Sequence, residues 1–533
     1  MNKLLNRFER LRDERGFTMA YVMLFMLVGS LFAVAAWGSV NSDTRQTQSD
    51  KDSKAAYAAA ESGLNWYLYR LDQDNGVWTD CDTPATLPDG SANPVNQPWN
   101  GTGADPRRWR NMPGGSSAQY TIEMLPATGT QCVAGAGASA SMLDSTGGLT
   151  IRSTGRVGTT KRTVVAQLRR SGFLDFLYFT DFETVDPTVY TVSSPAPGGK
   201  AGANCKVYRR AGRDARCTNI VFAGSDVVKG PFHTNDNFLA CGSPTFGRNS
   251  SDLIEESDPA GFAGGCGTTP TPNFLGTYSK GTPTLQMPTT NASLKDVALP
   301  AYKFSGQTRI ILGGSTMQVW NTAAGMSGTT VNFPSNGVVY VDGTCSNIYD
   351  IVQDYNDPTC NGDVYVKGNY TKSLTIAAKR DVIALGDITR TGNVVLGLIG
   401  DGFVRVYHPV LPKTRTTETC TGTNLNTSGA NSAPFGIASP SNVRIDAAIM
   451  SVQHSFIVDN YYCGGTLGTL TINGAIAQTF RGPVGTGGAT ISTGYVKNYN
   501  YDDRFRVVNP PYFLDPVNSA WRLVRFNEQT PAT

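Results

Sequence analysis

The sequence predicts a mixed α and β protein that is mostly β: a long N-terminal helix, a small β-meander head, then a large β domain of the β-solenoid type. Three observations predict it. An uncharged run, FTMAYVMLFMLVGSLFAVAAWGSVNS, fills residues 17–42 and continues into a polar stretch free of proline as far as Leu71. Glycine (58) and proline (29) are abundant while charged residues make up only 16% of 533, the composition of a loop-rich β protein. Beyond residue 204, short aliphatic segments alternate with turn residues.

The helix comes first. The leader, residues 1–16, carries Lys3, Arg7, Arg10, Arg12 and Arg15 against Glu9, Asp13 and Glu14, a basic bias that holds it on the cytoplasmic side. The apolar run is long enough to cross a hydrocarbon core of roughly 30 Å. A secretory signal has a shorter apolar core followed by a small-residue cleavage site; here the small residue, Gly16, precedes the apolar run. Further on, Ala56, Ala60, Leu64, Tyr67 and Leu71 recur at helical spacing. One helix over 17–71 would be roughly 80 Å long, its first part (17–42) transmembrane and its second packed beneath a globular head.

The order Arg15-Gly16-Phe17-Thr18 resembles the class III signal of type IV prepilins and pseudopilins, and AAYAAAESGLNWYLYRL resembles the second half of the N-terminal helix in PilX-type minor pilins. The resemblance covers about residues 12–71. It implies that a prepilin peptidase cuts between Gly16 and Phe17, that Phe17 is N-methylated, and that the helix, beginning Phe17-Thr18, docks among other pilin or pseudopilin subunits. The sequence departs from the family at mature position five, where shaft subunits carry a glutamate and this chain carries Tyr21. In the family that carboxylate is thought to neutralise a neighbour's N-terminal amine, and an unpaired buried charge is costly. Thr18 and Tyr21 therefore mark the docking helix of a minor or tip subunit rather than of the repeating shaft.

Length implies two or three domains. Residues 72–192 read as a pilin-like β domain: Tyr120–Leu125, Leu149–Ser153 and Arg162–Leu168 alternate with period two, and the apolar segment 173–180 is expected at the junction to the next domain. A Pro/Ser/Gly-rich linker follows at 193–203. From 204 to 533, strands are expected around 337–341, 363–368, 374–377, 381–386, 394–399, 404–406, 443–449 and 470–476. Such short strands with intervening Gly-Asp and Asn-Gly turns suggest solenoid coils; without a strict repeat length, a β-sandwich or irregular barrel stays open. The stretch between Cys241 and Ala301 reads as a surface excursion. The aromatic residues Tyr495, Tyr499, Tyr501, Phe505, Tyr512 and Phe513 are expected to cap the last β layer. Parts of 445–516 also resemble the ectodomains of large pilus-assembly proteins of unassigned activity.

The ten cysteines, Cys81, Cys132, Cys205, Cys217, Cys241, Cys266, Cys345, Cys360, Cys420 and Cys463, all lie beyond the apolar run and form no C-x-x-C. An exported domain favours disulfides over zinc. Spacing does not fix connectivity; pairing of sequence neighbours is the simplest assignment.

No catalytic motif is found. His233, His408 and His454 are far apart and read as structural. Asp502, Asp503 and Arg504, or Asp381 and Asp387, are groups that a polysaccharide-acting site would draw on, and Asp72, Asp74, Asn75 and Asp80 offer oxygen ligands but match no calcium loop. The expectation is no enzyme, no metal and no cofactor. Net charge of +3 without a basic block excludes an electrostatic footprint for nucleic acid. Three functions remain: a subunit assembled into a fibre and displaying its β domain for assembly priming, adhesion or binding to a surface or polysaccharide; a membrane-tethered enzyme acting on polysaccharide; and a static single-pass surface anchor. Each places the C-terminal region outside the cell membrane.

Overall fold

The structure is a computed structural model that describes residues 17–74, 77–79, 109–112, 117–127, 142–144, 148–170, 172–189, 203–267, 269–344, 361–409, 437–487, 491–506, 508–517 and 521–530. The leader with Gly16, nearly all of the 193–203 linker, and Asn75 and Asp80 fall outside them. The chain divides into two compact units. One takes residues up to 142, 150–168 and 523–533, and the other takes 143–149 and 169–522.

The first unit rests on a single helix, α1 (Phe17–Gln73). Its second half lies against a five-stranded sheet. The strands are β1 (Arg110–Asn111), β2 (Gln119–Leu125), β3 (Leu149–Val157), β4 (Thr160–Arg170) and, beside β4 at the edge, the C-terminal strand Trp521–Gln529. Ala56, Ala59, Ala60, Leu64, Tyr67 and Leu71 are all buried, which is the stripe the helical period marks out. Small residues let the backbones come close. A Cβ on Gly155 of β3 would lie 2.5 Å from the Ala60 nitrogen, and one on Gly63 would lie 2.8 Å from the Tyr120 ring. Larger side chains meet further along, where the Tyr67 hydroxyl donates to the Met124 sulfur at 2.9 Å. The C-terminal strand is tied in by an ion pair between Glu528 and Arg162, whose guanidinium also donates to Ser53 Oγ of α1 at 2.6 Å.

The second unit is dominated by one curled sheet of 23 strands, most of them short and paired in parallel. On one face, β5 (Tyr178–Phe182) lies between the second half of the strand Thr466–Phe480 and the strand Phe232–Thr234. From Phe232–Thr234 the parallel ladder continues outward through Leu253–Glu256 to Thr277–Lys280. In the other direction, from Thr466–Phe480, it runs back through Ala448–Ser451, Leu396–Gly400, Leu374–Ala378 and Val338–Asp342 to Lys303–Ser305. The chain thus enters mid-stack, winds to one end, crosses to the far end, and winds back to its entry point.

The crossing segment is anchored as it passes. Leu285 N donates to Asn235 Oδ1, and the fully buried Asn291 receives the Tyr340 hydroxyl while donating to Asp401 and to the Ala378 carbonyl at 2.7 Å each. Inside the curl, the aliphatic residues of successive strands form one continuous core, including Ile310, Val366, Ile376, Leu398, Ile449, Ile472 and Ile476.

Polar side chains bridge successive layers. Asp363 Oδ1 accepts from Asp381 N (3.1 Å), Asp381 Oδ1 from Phe403 N (2.7 Å), and Gln478 Oε1 from Phe456 N (2.9 Å). Arg405, with no exposed surface, sits among Asp459 (2.9 Å), Asp381 (3.0 Å) and Asp363 (3.9 Å). Burial pushes the Asp363 carboxyl up to about 6, with the Arg380 guanidinium at 3.0 Å pulling the other way.

Three expectations are corrected. The division between units falls at 168/169, not at 192, and the last strand returns to the head, so 204–533 is not one block. The stretch from Cys241 to Ala301 is not an excursion: Thr245–Phe246, Leu253–Glu256, Asn273–Phe274 and Thr277–Lys280 are strands of the stack. The aromatic segment around Tyr495 and Tyr499 lies mid-stack, paired with Thr466–Phe480 and Val227–Lys229, because the layers are not stacked in sequence order. Phe173, Leu174, Tyr178 and Phe179, from the apolar segment 173–180, belong to the large core.

Two substitutions test these contacts. Gly155→Val drives a branched side chain into the backbone of α1 and should destabilise the first unit by about 3 kcal/mol, read from its unfolding in urea. Arg405→Met leaves three carboxylates facing one another in the core and should lower the stability of the second unit by roughly 3–5 kcal/mol, read from the shift of its melting transition.

Candidate assembly interface

The feature that sets this chain apart from a compact globular protein is the first half of α1. Met19–Gly38 is long and apolar enough to cross a membrane and has none of its surface buried within the protein. Met23, Phe25, Met26, Phe32, Val34 and Trp37 are each more than 60% exposed. Soluble proteins rarely leave so large an apolar surface uncovered. Ser30 and Thr44 turn their hydroxyls back onto the carbonyls of Leu27 and Val40, at 2.8 and 2.6 Å, so that their polar atoms are satisfied within the helix. Phe17 opens the helix, and Tyr21, one turn on, is 52% exposed. The predicted end at Leu71 falls two residues short of the observed Gln73.

The other residues singled out from sequence are engaged in the fabric of the large unit. His233 lies 3.0 Å from Glu255 and 3.1 Å from Asn235; His454 lies 2.5 Å from Asp186 and stacks on Phe403 at 4.4 Å; His408 lies 2.6 Å from Ser439. These sites are not brought together. Asp381 is held by Arg405, Asp387 accepts from Arg444 N at 2.9 Å, Asp502 is paired with Arg504, and Asp503 is paired with Arg248 at 2.7 Å. The described residues hold no group of three or more His, Cys, Asp or Glu placed for a metal ion.

A cavity of about 30 Å³, lined by Tyr178, Phe222, Gln478, Arg481 and Tyr499 among others, has room for a water molecule. Arg481 and Gly482 follow directly on the strand Thr466–Phe480. The structure adds a buried ion pair from Arg481 to Glu183 at 3.1 Å, with the guanidinium over the Phe222 ring at 3.6 Å; nothing local in the sequence marks partners 298 residues apart.

Cys205 is bonded to Cys217 and Cys241 to Cys266, with Cα atoms 5.8 and 5.6 Å apart. Cys463 is also disulfide-bonded. Cys81, Cys132, Cys345, Cys360 and Cys420 lie outside the described residues.

No protein-family model and no curated protein matches the chain. Among solved structures, it is similar to the competence-associated pilin ComZ from Thermus thermophilus, at 13% identity and a TM-score of 0.29, covering 90% of this chain and 98% of that one. Similarity at that level carries no argument about fold or function.

One buried acid has a consequence for stability. Glu256 is fully buried on Leu253–Glu256; its Oε1 accepts from the Tyr278 hydroxyl at 2.9 Å and its Oε2 has no hydrogen-bond partner. Burial pushes this carboxyl up to about 8, against about 4.3 in an unfolded chain. Between those values the folded protein holds a proton that the unfolded chain has released, so this acid's contribution to stability is fully present below about 4.3 and is lost as pH rises toward 8. Glu256→Gln keeps the acceptor for Tyr278 and removes the titration. Melting temperatures measured from pH 4 to 9 should decline less steeply for this variant than for wild type, and the variant should be the more stable of the two above pH 8.

Proposed function

We propose that the chain is a minor or tip subunit of a type IV pilus or a related pseudopilus, cut between Gly16 and Phe17 by a prepilin peptidase and N-methylated at Phe17. It displays a large extracellular domain, a β-solenoid by its parallel layers, for assembly priming, adhesion or surface binding. The observation that carries this reading is the helix itself. A single helix of 57 residues presents a wholly exposed apolar half and continues without a break into a half seated on a small antiparallel sheet. Such a helix rests in a bilayer before assembly and among equivalent helices afterwards; in both settings its surface is covered.

Tyr21 supports a tip or minor position. Its side chain offers no carboxylate to a neighbour's terminal amine, so a subunit stacked on this one loses a charge pair at a buried site. Size points the same way, since a second unit running from 169 to 522 is hard to repeat along a close-packed shaft.

Sequencing of the N-terminus from membranes should return N-methyl-Phe17, and cells without prepilin peptidase should retain the uncut chain. An identical N-terminus in both strains rules the reading out. Quantitative mass spectrometry of sheared fibres should find the chain at a small fraction of the major subunit. Equal abundance overturns the tip assignment, and absence from fibres leaves a static membrane anchor.

A further inference from the structure

The outer face of the second unit carries an ordered array of amides. Along Thr466–Phe480 and Ile491–Tyr501, Ile472 and Tyr499 point into the core, so Thr471, Asn473, Asn498 and Asn500 on either side of them point outward. The parallel register places Arg444, Thr471 and Asn498 in one row, and Asn473, Asn500 and Lys229 in the next. Hydrogen bonds run along and between the rows. Asn500 Nδ2 donates to Asn473 Oδ1 at 3.2 Å, Asn473 Nδ2 to Asp446 at 2.7 Å, Asn498 Nδ2 to Thr471 Oγ1 at 3.2 Å, and Lys229 Nζ to Asn498 Oδ1 at 2.9 Å.

These bonds fix each amide's orientation and leave capacity unspent. An amide offers two donors and two lone pairs. After its ladder bonds, Asn473 keeps an N–H, Asn498 keeps an N–H, Asn500 keeps its carbonyl oxygen, and Thr471 keeps its hydroxyl proton. Donors and acceptors thus repeat with the strand spacing, about 4.8 Å, on the scale of one pyranose residue. Exposed Val227 and Val496 stand on the same strands, Val227–Lys229 and Ile491–Tyr501, apolar surface suited to the C–H face of a sugar ring. Because the ladder already holds its side chains, binding costs little rotamer entropy.

We propose that this face binds an extended, uncharged polysaccharide, with the amides of Asn473, Asn498 and Asn500 paired to its hydroxyls. Neutrality favours such a chain over an acidic one: between the two cations that end the rows lie only amides and a hydroxyl, Arg444 is already bonded to Asp446 at 2.8 Å, and Lys229 already donates to Asn498 Oδ1 at 2.9 Å. The inference deepens the display reading above by naming what the displayed domain meets.

The test is sedimentation of the full chain, in detergent, with cellulose and with chitin particles, and with calcium alginate beads as the anionic comparison. Wild type should sediment with at least one neutral glycan regardless of salt. Asn498→Ala combined with Asn500→Ala should weaken retention roughly tenfold, about 1.4 kcal/mol. Thr329→Ala combined with Thr330→Ala, on an exposed hairpin elsewhere, should change nothing. If the amide variant melts below wild type, Lys229→Ala at the exposed end of the row replaces it and should also weaken retention.

No retention on either neutral glycan overturns the proposal, as does retention unchanged by the row substitutions. Binding to alginate alone, lost in salt, also overturns it and indicates a charged partner. Incorporation of the same variants into fibres is scored in parallel. Normal incorporation of a wild-type chain that binds neither neutral glycan defeats this inference alone, whereas glycan binding by a chain absent from fibres defeats the fibre reading and leaves the amide face standing.

Discussion

Five residues, Tyr178–Phe182, join the two runs of layers of the large unit along one face. The strand takes hydrogen bonds from Thr466–Phe480 on one side and from Phe232–Thr234 on the other, so two runs of layers that wind away from it in opposite directions form one sheet. Side chains carry the continuity across: Tyr178 stacks on Phe232 with rings 5.6 Å apart and nearly parallel, and Phe182 meets Phe480 at the same distance. Gln478 donates to the Tyr178 hydroxyl at 3.1 Å. Without this strand, two parallel edges would stand open in the middle of the unit, each a template for pairing with another chain.

The same arrangement explains the burial of so much charge. A stack of short parallel strands must turn at every layer, and each turn exposes backbone N–H groups to the interior. Asp363, Asp381 and Gln478 meet that need by accepting from the next layer. Carboxylates placed there require a cation, and Arg405 and Arg380 supply it. These acids are a consequence of the winding, and each is buried within it.

How much of this was legible in the sequence depends on the range of the interaction. The helix was legible almost to the residue because apolar spacing, absence of proline and the Ala/Gly seam are local signals. Strands such as Val338–Asp342, Leu374–Ala378 and Val404–Val406 were legible because they are dense in β-branched and aliphatic residues. Thr245–Phe246 and Asn273–Phe274 were not, since two residues carry no periodicity and they exist only because a longer neighbour offers them a partner. The order of the layers was hidden for a related reason: parallel pairing between Tyr178 and Ile476 leaves no mark on either segment alone. The amide rows went unremarked because Asn498 and Asn500 look like ordinary turn residues until the 27-residue offset sets them beside Thr471 and Asn473.

The return of Trp521–Gln529 to the edge of the head sheet, beside β4, makes the chain's schedule unusual. Strands β1 to β4 are made early, yet their sheet waits for a partner encoded after the whole of the large unit. Through most of synthesis, then, β4 has an uncovered flank, and the large unit is in the same condition until Thr466–Phe480 arrives beside β5. A product that stops before Trp521 keeps the whole of α1 and lacks the strand that completes the head. Completion of the head is thereby a report that the whole of the large unit has been made.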